Sequence, residues 1–294
     1  MAKGKALYQP EGKAAEYNRW AANFFTGCSH NCDYCYLKRG SLARVWDTKP
    51  HLKKCFKNER DALEVFKKEL LDNRLRVRAE GGVFFSFSTD PCLRETFMLT
   101  RRAALLCLDC SIPVTILTKR ASFLSERTGS TYEDELFGEE DERDMFDPAV
   151  HKGLLAIGFT LTGHDEMEPG ASPNDSRIGA MAFLKDHNIR TFASVEPVID
   201  TKASLKVIEA AAPFCDLFKI GLRSGVAKDY YDKKVTDKDD DFISLEQFMA
   251  RASNIILDAK KKVYWKESIR NKSFAAEYLS APISVGSTYN LFNK

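Results

Sequence analysis

Along the chain, short apolar runs alternate with longer segments whose apolar residues recur at spacings of three and four. The short runs predict strands near Ala22 to Thr26, Val83 to Ser88, Pro113 to Thr118, Leu154 to Leu161, Arg190 to Val195 and Asp216 to Gly221. The longer segments predict amphipathic helices at Glu59 to Asn73, Arg94 to Asp109, Asn174 to His187 and Lys202 to Ala212. Strand followed by helix, repeated, is the pattern of parallel strands joined by crossover helices, and no other internal repeat overlies it. The expected fold is therefore α/β: an open, partial (β/α)6 TIM-like barrel over residues 1–226. The charged, loop-like stretch from Ala227 to Asp241 ends that pattern, so residues 227–294 are expected to form a C-terminal cap that closes the barrel mouth.

Ligands of such sheets sit beyond the carboxyl ends of the strands, which makes the residues after each strand the candidate chemistry. These residues are polar: Ser86-Phe87-Ser88-Thr89-Asp90-Pro91-Cys92, Thr118-Lys119-Arg120, Thr160-Leu161-Thr162-Gly163, Ser194-Val195-Glu196-Pro197 and Gly221-Leu222-Arg223-Ser224-Gly225. Together they offer hydroxyls, a carboxylate and cations to one pocket. Taken singly, Ser88, Lys119 or Thr162 also reads as a helix cap or loop residue.

Composition narrows the class. At 294 residues and 44% apolar content the chain can build one large core. Forty-four basic residues against 42 acidic ones leave a net charge of +2, so partners must be inferred from local patches rather than a global field. Eight unevenly spaced cysteines suit a reducing compartment, Met1 to Gly12 carries no apolar leader core, and no run of about 18 apolar residues occurs. The expectation is a soluble, cytoplasmic protein with no membrane contact.

Several local features leave two readings open. Cys107 and Cys110 have redox-motif spacing but lie at the end of a helix among leucines, which favours half-buried structural thiols. Glu133 to Asp147 holds nine acidic residues and one basic one, a solvated insertion or lid. Lys260-Lys261-Lys262, Lys266, Arg270 and Lys272 interleave with Tyr264 and Trp265, as Arg74, Arg76 and Arg78 do with apolar residues. Each set is either a phosphate-gripping, base-stacking patch or a solvated face over aromatic core anchors.

The most specific stretch is Cys28-Ser29-His30-Asn31-Cys32-Asp33-Tyr34-Cys35. Three cysteines spaced Cys-x3-Cys-x2-Cys can turn three thiolates toward one small object, one ligand short of a closed site. A [4Fe-4S] cluster held this way keeps one iron open, whereas structural zinc would recruit His30 as a fourth ligand.

With Tyr34 before the last cysteine, the spacing resembles the signature of the radical S-adenosylmethionine (SAM) superfamily. That resemblance implies a [4Fe-4S] cluster on Cys28, Cys32 and Cys35, with SAM on the open iron and an electron from a donor such as flavodoxin or ferredoxin. Reductive cleavage then yields methionine and a 5′-deoxyadenosyl radical that abstracts hydrogen from substrate. It also implies that the backbone around Tyr34 faces the adenine, Ser88 and Thr89 the methionine amino group, Lys119 its carboxylate, and Thr162 and Glu196 the ribose or adenine. Within the superfamily, Gly12 to Tyr17, the cysteine loop running into Tyr36, Ser88-Thr89-Asp90-Pro91 and Ile116-Leu117-Thr118-Lys119 resemble the spore photoproduct lyase branch. That branch implies a lyase-type repair or modification of a nucleic-acid base, with a cysteine returning hydrogen. Here Phe87 stands at the family's cysteine position, and the nearest thiol, Cys92, is the candidate catalytic residue that returns the hydrogen. The alternatives are a non-catalytic zinc or iron–sulfur protein, or a radical SAM enzyme acting on a small molecule or peptide.

Overall fold

The computed structural model describes residues 5–39, 43–44, 46–128, 137, 141–227, 230–231, 242–272 and 291–292. Its strands are β1 (Leu7–Tyr8), β2 (Ala21–Ala22), β3 (Phe25–Thr26), β4 (His51–Leu52), β5 (Val83–Phe85), β6 (Val114–Thr118), β7 (Leu155–Thr160), β8 (Arg190–Val198), β9 (Leu217–Leu222) and β10 (Lys262–Trp265). The helices are α1 (Glu59–Ala79), α2 (Phe97–Asp109), α3 (Pro148–His151), α4 (Asn174–Asp186), α5 (Thr201–Ala211), α6 (Leu245–Asp258) and α7 (Glu267–Arg270). Eight strands form one sheet in the order β1-β2-β5-β6-β7-β8-β9-β10; β1 is antiparallel to β2, and the remaining neighbours are parallel. The result is the expected partial, open barrel. No described helix is long and apolar enough to cross a membrane.

Two expectations change. The first strand is split: β2 belongs to the main sheet, while β3 leaves it to pair antiparallel with β4 and launches the cysteine loop. The sheet also continues past residue 226, because β10 runs parallel to β9 with Tyr264 opposite Lys219. Its residues belong to the lysine-rich stretch read either as a phosphate-gripping patch or as a solvated face over aromatic core anchors, and the second reading describes its aromatics. Tyr264, Trp265 and Lys266 are buried, which removes them from any nucleic-acid surface. Helix α6, not expected from the periodicity, starts at a capping box in which Ser244 and Gln247 bond each other's backbone N–H. Of the acidic stretch, 133–136 and 138–140 lie outside the described residues, as does most of 228–241. In its described part Glu142, Arg143 and Asp147 are exposed, while Met145 and Phe146 are fully buried.

Side-chain alternation sorts the sheet into two faces. Val83, Phe85, Val114, Ile116, Ile157, Phe159, Ala193, Val195, Phe218, Ile220, Val263 and Trp265 join the large core shared with the helices. The intervening Phe84, Phe192, Leu217 and Tyr264 form a smaller interior cluster with Tyr17 and Ala21. The same inward parity carries Ser194, Glu196 and Lys219 in β8 and β9. The barrel interior is therefore apolar at its base and charged above it.

Lys219 fastens the N-terminal segment into that interior. Its amine donates to the carbonyls of Glu16 (3.3 Å) and Tyr17 (3.2 Å) and lies 4.7 Å from the centre of the Tyr17 ring. Burial, reinforced by neighbouring Lys266, lowers its pKa to about 7. The unfolded chain then holds more protons than the folded one between about pH 7 and the ordinary lysine range. The cost of Lys219 is thus complete below about pH 7 and fades as pH rises toward 10. Stability of the wild type relative to Lys219→Met should rise across this window by up to ~1.4 kcal/mol per pH unit, as measured by urea denaturation at pH 7 and pH 10. Parallel curves for the two proteins would show that the amine is solvated.

Candidate active site

The cysteine loop starts where β3 ends, and backbone contacts hold it on two sides. Gly27 has φ +88°, and a side chain there would strike the carbonyls of Lys49 and Asp47. The Cys28 N–H donates to the Asp47 carbonyl at 2.9 Å. On the other side, the segment after β7 clasps the loop: Asp33 N–H donates to Met167 O (2.9 Å) and Gly170 N–H to His30 O (3.0 Å). Gly170 lies so close to Ser29 and His30 that a Cβ would meet their backbone.

Within the loop, Asn31 N–H donates to Cys28 O (3.4 Å) and Cys35 N–H to Cys32 O (3.2 Å), so the turn is compact. Cys32 is buried, Cys28 and Cys35 are half-buried, and all three are free thiols. Among the described residues no three His, Cys, Asp or Glu stand together as a site for a single metal ion. Burial, then the Asp90 carboxylate, pushes the Cys28 thiol up to about 12. Burial likewise raises Cys32, against the pull of Lys119. Such thiols release their protons only to a bound cation.

His30 is committed elsewhere. Nδ1 donates to Gly170 O (2.8 Å), and Nε2 pairs with Asp90 Oδ2 (2.8 Å). Both ring nitrogens are engaged and the residue is buried, so a Cys3His zinc site would have to dismantle this network. What remains is a three-thiol donor set, which fits an iron–sulfur cluster with an open iron.

Asp90 is the hub. Its Oδ2 accepts from His30 and from the Lys119 N–H (2.7 Å), and its Oδ1 from the Cys92 N–H (2.8 Å) and Thr118 Oγ1 (2.8 Å). Burial alone would raise its pKa, but His30 and the two backbone donors hold it at about 2. The strand-end residues gather around this hub. Ser88 Oγ donates to Phe25 O (2.5 Å), which ties the β5 end to the start of the cysteine loop. Thr89 Oγ1 is buried without a hydrogen-bond partner. The Lys119 amine lies 5.7 Å from the centre of the Tyr34 ring. Burial would lower its pKa, yet the Cys32 thiol and the Glu168 carboxylate raise it on balance.

Tyr34 and Thr162 meet at a residue the sequence did not single out. Glu168, fully buried as a side chain, accepts from the Tyr34 hydroxyl, Thr162 Oγ1 (3.3 Å) and Arg177 Nη2 (2.6 Å). Arg177 also donates to Ser172 O (2.6 Å) and Thr160 O (2.7 Å). Thr162 is completely buried and its hydroxyl already serves the Glu168 cluster and the His164 N–H (3.2 Å). Across the barrel, Glu196 Oε2 accepts from Tyr17 (2.7 Å) and Lys266 (2.6 Å). A Cβ on Gly221 would come within 2.9 Å of Glu196 Oε1, so that glycine keeps room for the carboxylate.

Cys92 is placed differently from expectation. It is fully buried in the large core shared by sheet and helices, and burial then Asp90 raise its thiol well above the ordinary range. Its backbone N–H is held by Asp90 and its carbonyl accepts from Arg120 Nη1 (2.8 Å). No spacing rule marks Glu168, Arg177 or Lys266; each is defined by a partner distant in sequence or in another element.

The Asp90 hub makes a measurable demand. Asp90→Asn turns acceptor lone pairs into an amide facing buried donors, and should cost about 3 kcal/mol at pH 7. In the wild type the carboxylate's contribution is complete above about pH 4 and lost as pH falls through about 2. A denaturation cycle with His30→Ala and Asp90→Asn should show coupling of at least ~1 kcal/mol; additive losses would mean that the contact does not hold the loop.

No family model matches the chain, and no curated protein matches it. Solved structures do match. Spore photoproduct lyase complexed with dinucleoside spore photoproduct is 15% identical over 88% of this chain and 79% of that chain, with a TM-score of 0.56. A doubly substituted spore photoproduct lyase with bound AdoMet and the same dinucleoside is 14% identical over 85% and 77%, with a TM-score of 0.54. A further single-substituted form of that lyase gives 14% identity over 88% and 79%, with a TM-score of 0.57. At this level of identity the likeness is one of fold, and the chain has the fold of spore photoproduct lyase.

Proposed function

We propose that this chain is a radical SAM enzyme that holds a [4Fe-4S] cluster on Cys28, Cys32 and Cys35 and acts on a nucleic-acid base. The observation that carries this reading is the position of the three-thiol loop. It lies at the carboxyl ends of a parallel sheet with the spore photoproduct lyase fold, and its only histidine is already bonded on both nitrogens. When bound, the cluster and SAM supply one-electron cleavage of the sulfonium to methionine and a 5′-deoxyadenosyl radical that takes hydrogen from substrate.

The chain's own residues divide the binding work. Lys119, kept charged by its neighbours, pairs with the SAM carboxylate; Thr89, with its buried unpartnered hydroxyl, receives the amino group while Ser88 fixes the turn. Tyr34, anchored on Glu168, sets the backbone beside the adenine, with Thr162 holding the same carboxylate from behind. Glu196, oriented by Tyr17 and Lys266, accepts from the ribose. A low-potential carrier such as flavodoxin or ferredoxin delivers the electron. The nucleic-acid substrate is supported by the dinucleoside that the similar lyase structures hold. Cys92 has no part in this scheme as a hydrogen donor.

Anaerobic reconstitution tests the reading. Wild-type protein should take up about four irons and absorb broadly in the visible, whereas Cys28→Ala, Cys32→Ala or Cys35→Ala should each lose both features and Cys55→Ala neither. A colourless protein with stoichiometric zinc would sink the proposal. Lys119→Ala should keep its iron yet bind SAM roughly tenfold more weakly by calorimetry, the loss of one charge-assisted contact. Unchanged affinity would remove Lys119 from the site.

A further inference from the structure

Among the described residues, several buried or half-buried cations face a carboxylate: Arg177 faces Glu168, Lys266 Glu196, Arg120 Glu126 and Arg127 Asp144. At the carboxyl end of β9 the half-buried Arg223 does not, and two exposed cations without an acid partner meet the residue beside it. Lys13 Nζ donates to Ser224 Oγ (2.8 Å), and Arg39 Nη1 donates to the Ser224 carbonyl (3.4 Å). Arg223, the neighbour of Ser224, has its Nε buried without a hydrogen-bond partner. Among the described residues none of the three is paired with an acid.

Their meeting is not a local accident of sequence. Lys13 comes from the N-terminal segment, Arg39 from four positions beyond Cys35 and Arg223 from the end of β9; the two contacts to Ser224 span 211 and 185 residues. The loop they surround is shaped to receive them. Arg223 N–H donates to the Tyr231 hydroxyl (2.9 Å), which fixes its start. Gly225 has φ +73°, and a Cβ there would run into the Arg39 guanidinium. Lys13 and Arg39, brought to one residue without a counter-charge, repel one another, and each keeps N–H donors unspent, as does the unpartnered Arg223 Nε. An anion with several oxygens relieves both costs. A guanidinium fork, a lysine point charge and a serine hydroxyl suit a tetrahedral phosphate better than a two-oxygen carboxylate.

We infer that Lys13, Arg39 and Arg223, arranged around Ser224 and Gly225, form an anion subsite that holds a phosphate group of the substrate at the barrel mouth. This rests on the nucleic-acid reading above and extends it: the strand is gripped by its backbone beside the cysteine loop while a base enters the barrel. The cations of this site lie on segments that the two basic patches read from the sequence do not include.

The test compares two probes by calorimetry on the full chain: a thymine dinucleotide with its bridging phosphate, and an analogue joined by an uncharged formacetal link. The wild type should bind the phosphate-bearing probe about tenfold more tightly. In Lys13→Ala and in Arg39→Ala that preference should fall to about twofold or less, and Arg39→Lys should keep part of it. Both alanine changes are at exposed positions, so folding is preserved. A preference that persists in both variants, or is missing in the wild type, overturns the subsite. If neither probe binds the wild type, the nucleic-acid reading falls, and inorganic phosphate decides the subsite separately. A phosphate-dependent rise in Tm that Arg39→Ala abolishes upholds it, and an equal rise in both proteins, or none, overturns it.

Discussion

The geometry of the candidate site depends on one buried carboxylate. Asp90 gathers donors from the cysteine loop, from its own turn and from the end of β6, and so locks three separate segments to each other. A carboxylate can accept about four hydrogen bonds, and here each of its two oxygens takes two. Such a node is costly to desolvate and rigid once satisfied, which suits a loop that must present three thiols in a fixed order. Glu168 plays the matching part on the other side, with Arg177 buried beneath it and Tyr34 and Thr162 attached. The cysteine loop is thus suspended between two acid-centred networks, and the ammonium of Lys119 sits near both.

This arrangement explains why several residues expected to touch a ligand serve as supports. Thr162 and the Tyr34 hydroxyl are bound to Glu168, and the Ser88 hydroxyl is bound to Phe25. Their polarity was visible at the strand ends, but whether a hydroxyl faces a ligand or a neighbour depends on what folds next to it. Lys119 and the buried, unpartnered Thr89 are the ones left with capacity.

How far the sequence could be read follows the range of each interaction. Strands and helices with a clear period were legible because alternation is local: α4, expected at Asn174 to His187, runs Asn174–Asp186, although α1, expected to end at Asn73, continues to Ala79. The cysteine motif was legible because its ligands lie within one turn. His30 and Asp90 could not be paired by reading, since 60 residues separate them, nor could Glu16 be joined to the N–H of Glu267 across 251. β10 failed for another reason: four residues flanked by lysines carry too little pattern to distinguish a strand from a basic surface. The surroundings of Cys92 were not legible either: it follows a strand end in sequence, yet it is fully buried in the large core, next to the Asp90 turn.

Net charge gave the least guidance, and the structure shows why. A total of +2 conceals a strong segregation. Inside the barrel, Glu16 and Glu196 are set against Lys266, Arg270 and the depressed Lys219, so the interior is close to balanced. Arg143 is likewise matched with Asp109 and Asp141. Lys13 and Arg39, which face no acid among the described residues, meet at Ser224 beyond the end of β9. Fields of this kind act over about a Debye length, roughly 8 Å in physiological salt, so a ligand senses the rim and not the sum. A chain of nearly neutral composition can therefore present a local charge at one end of the barrel while the charges of its interior are matched within the fold.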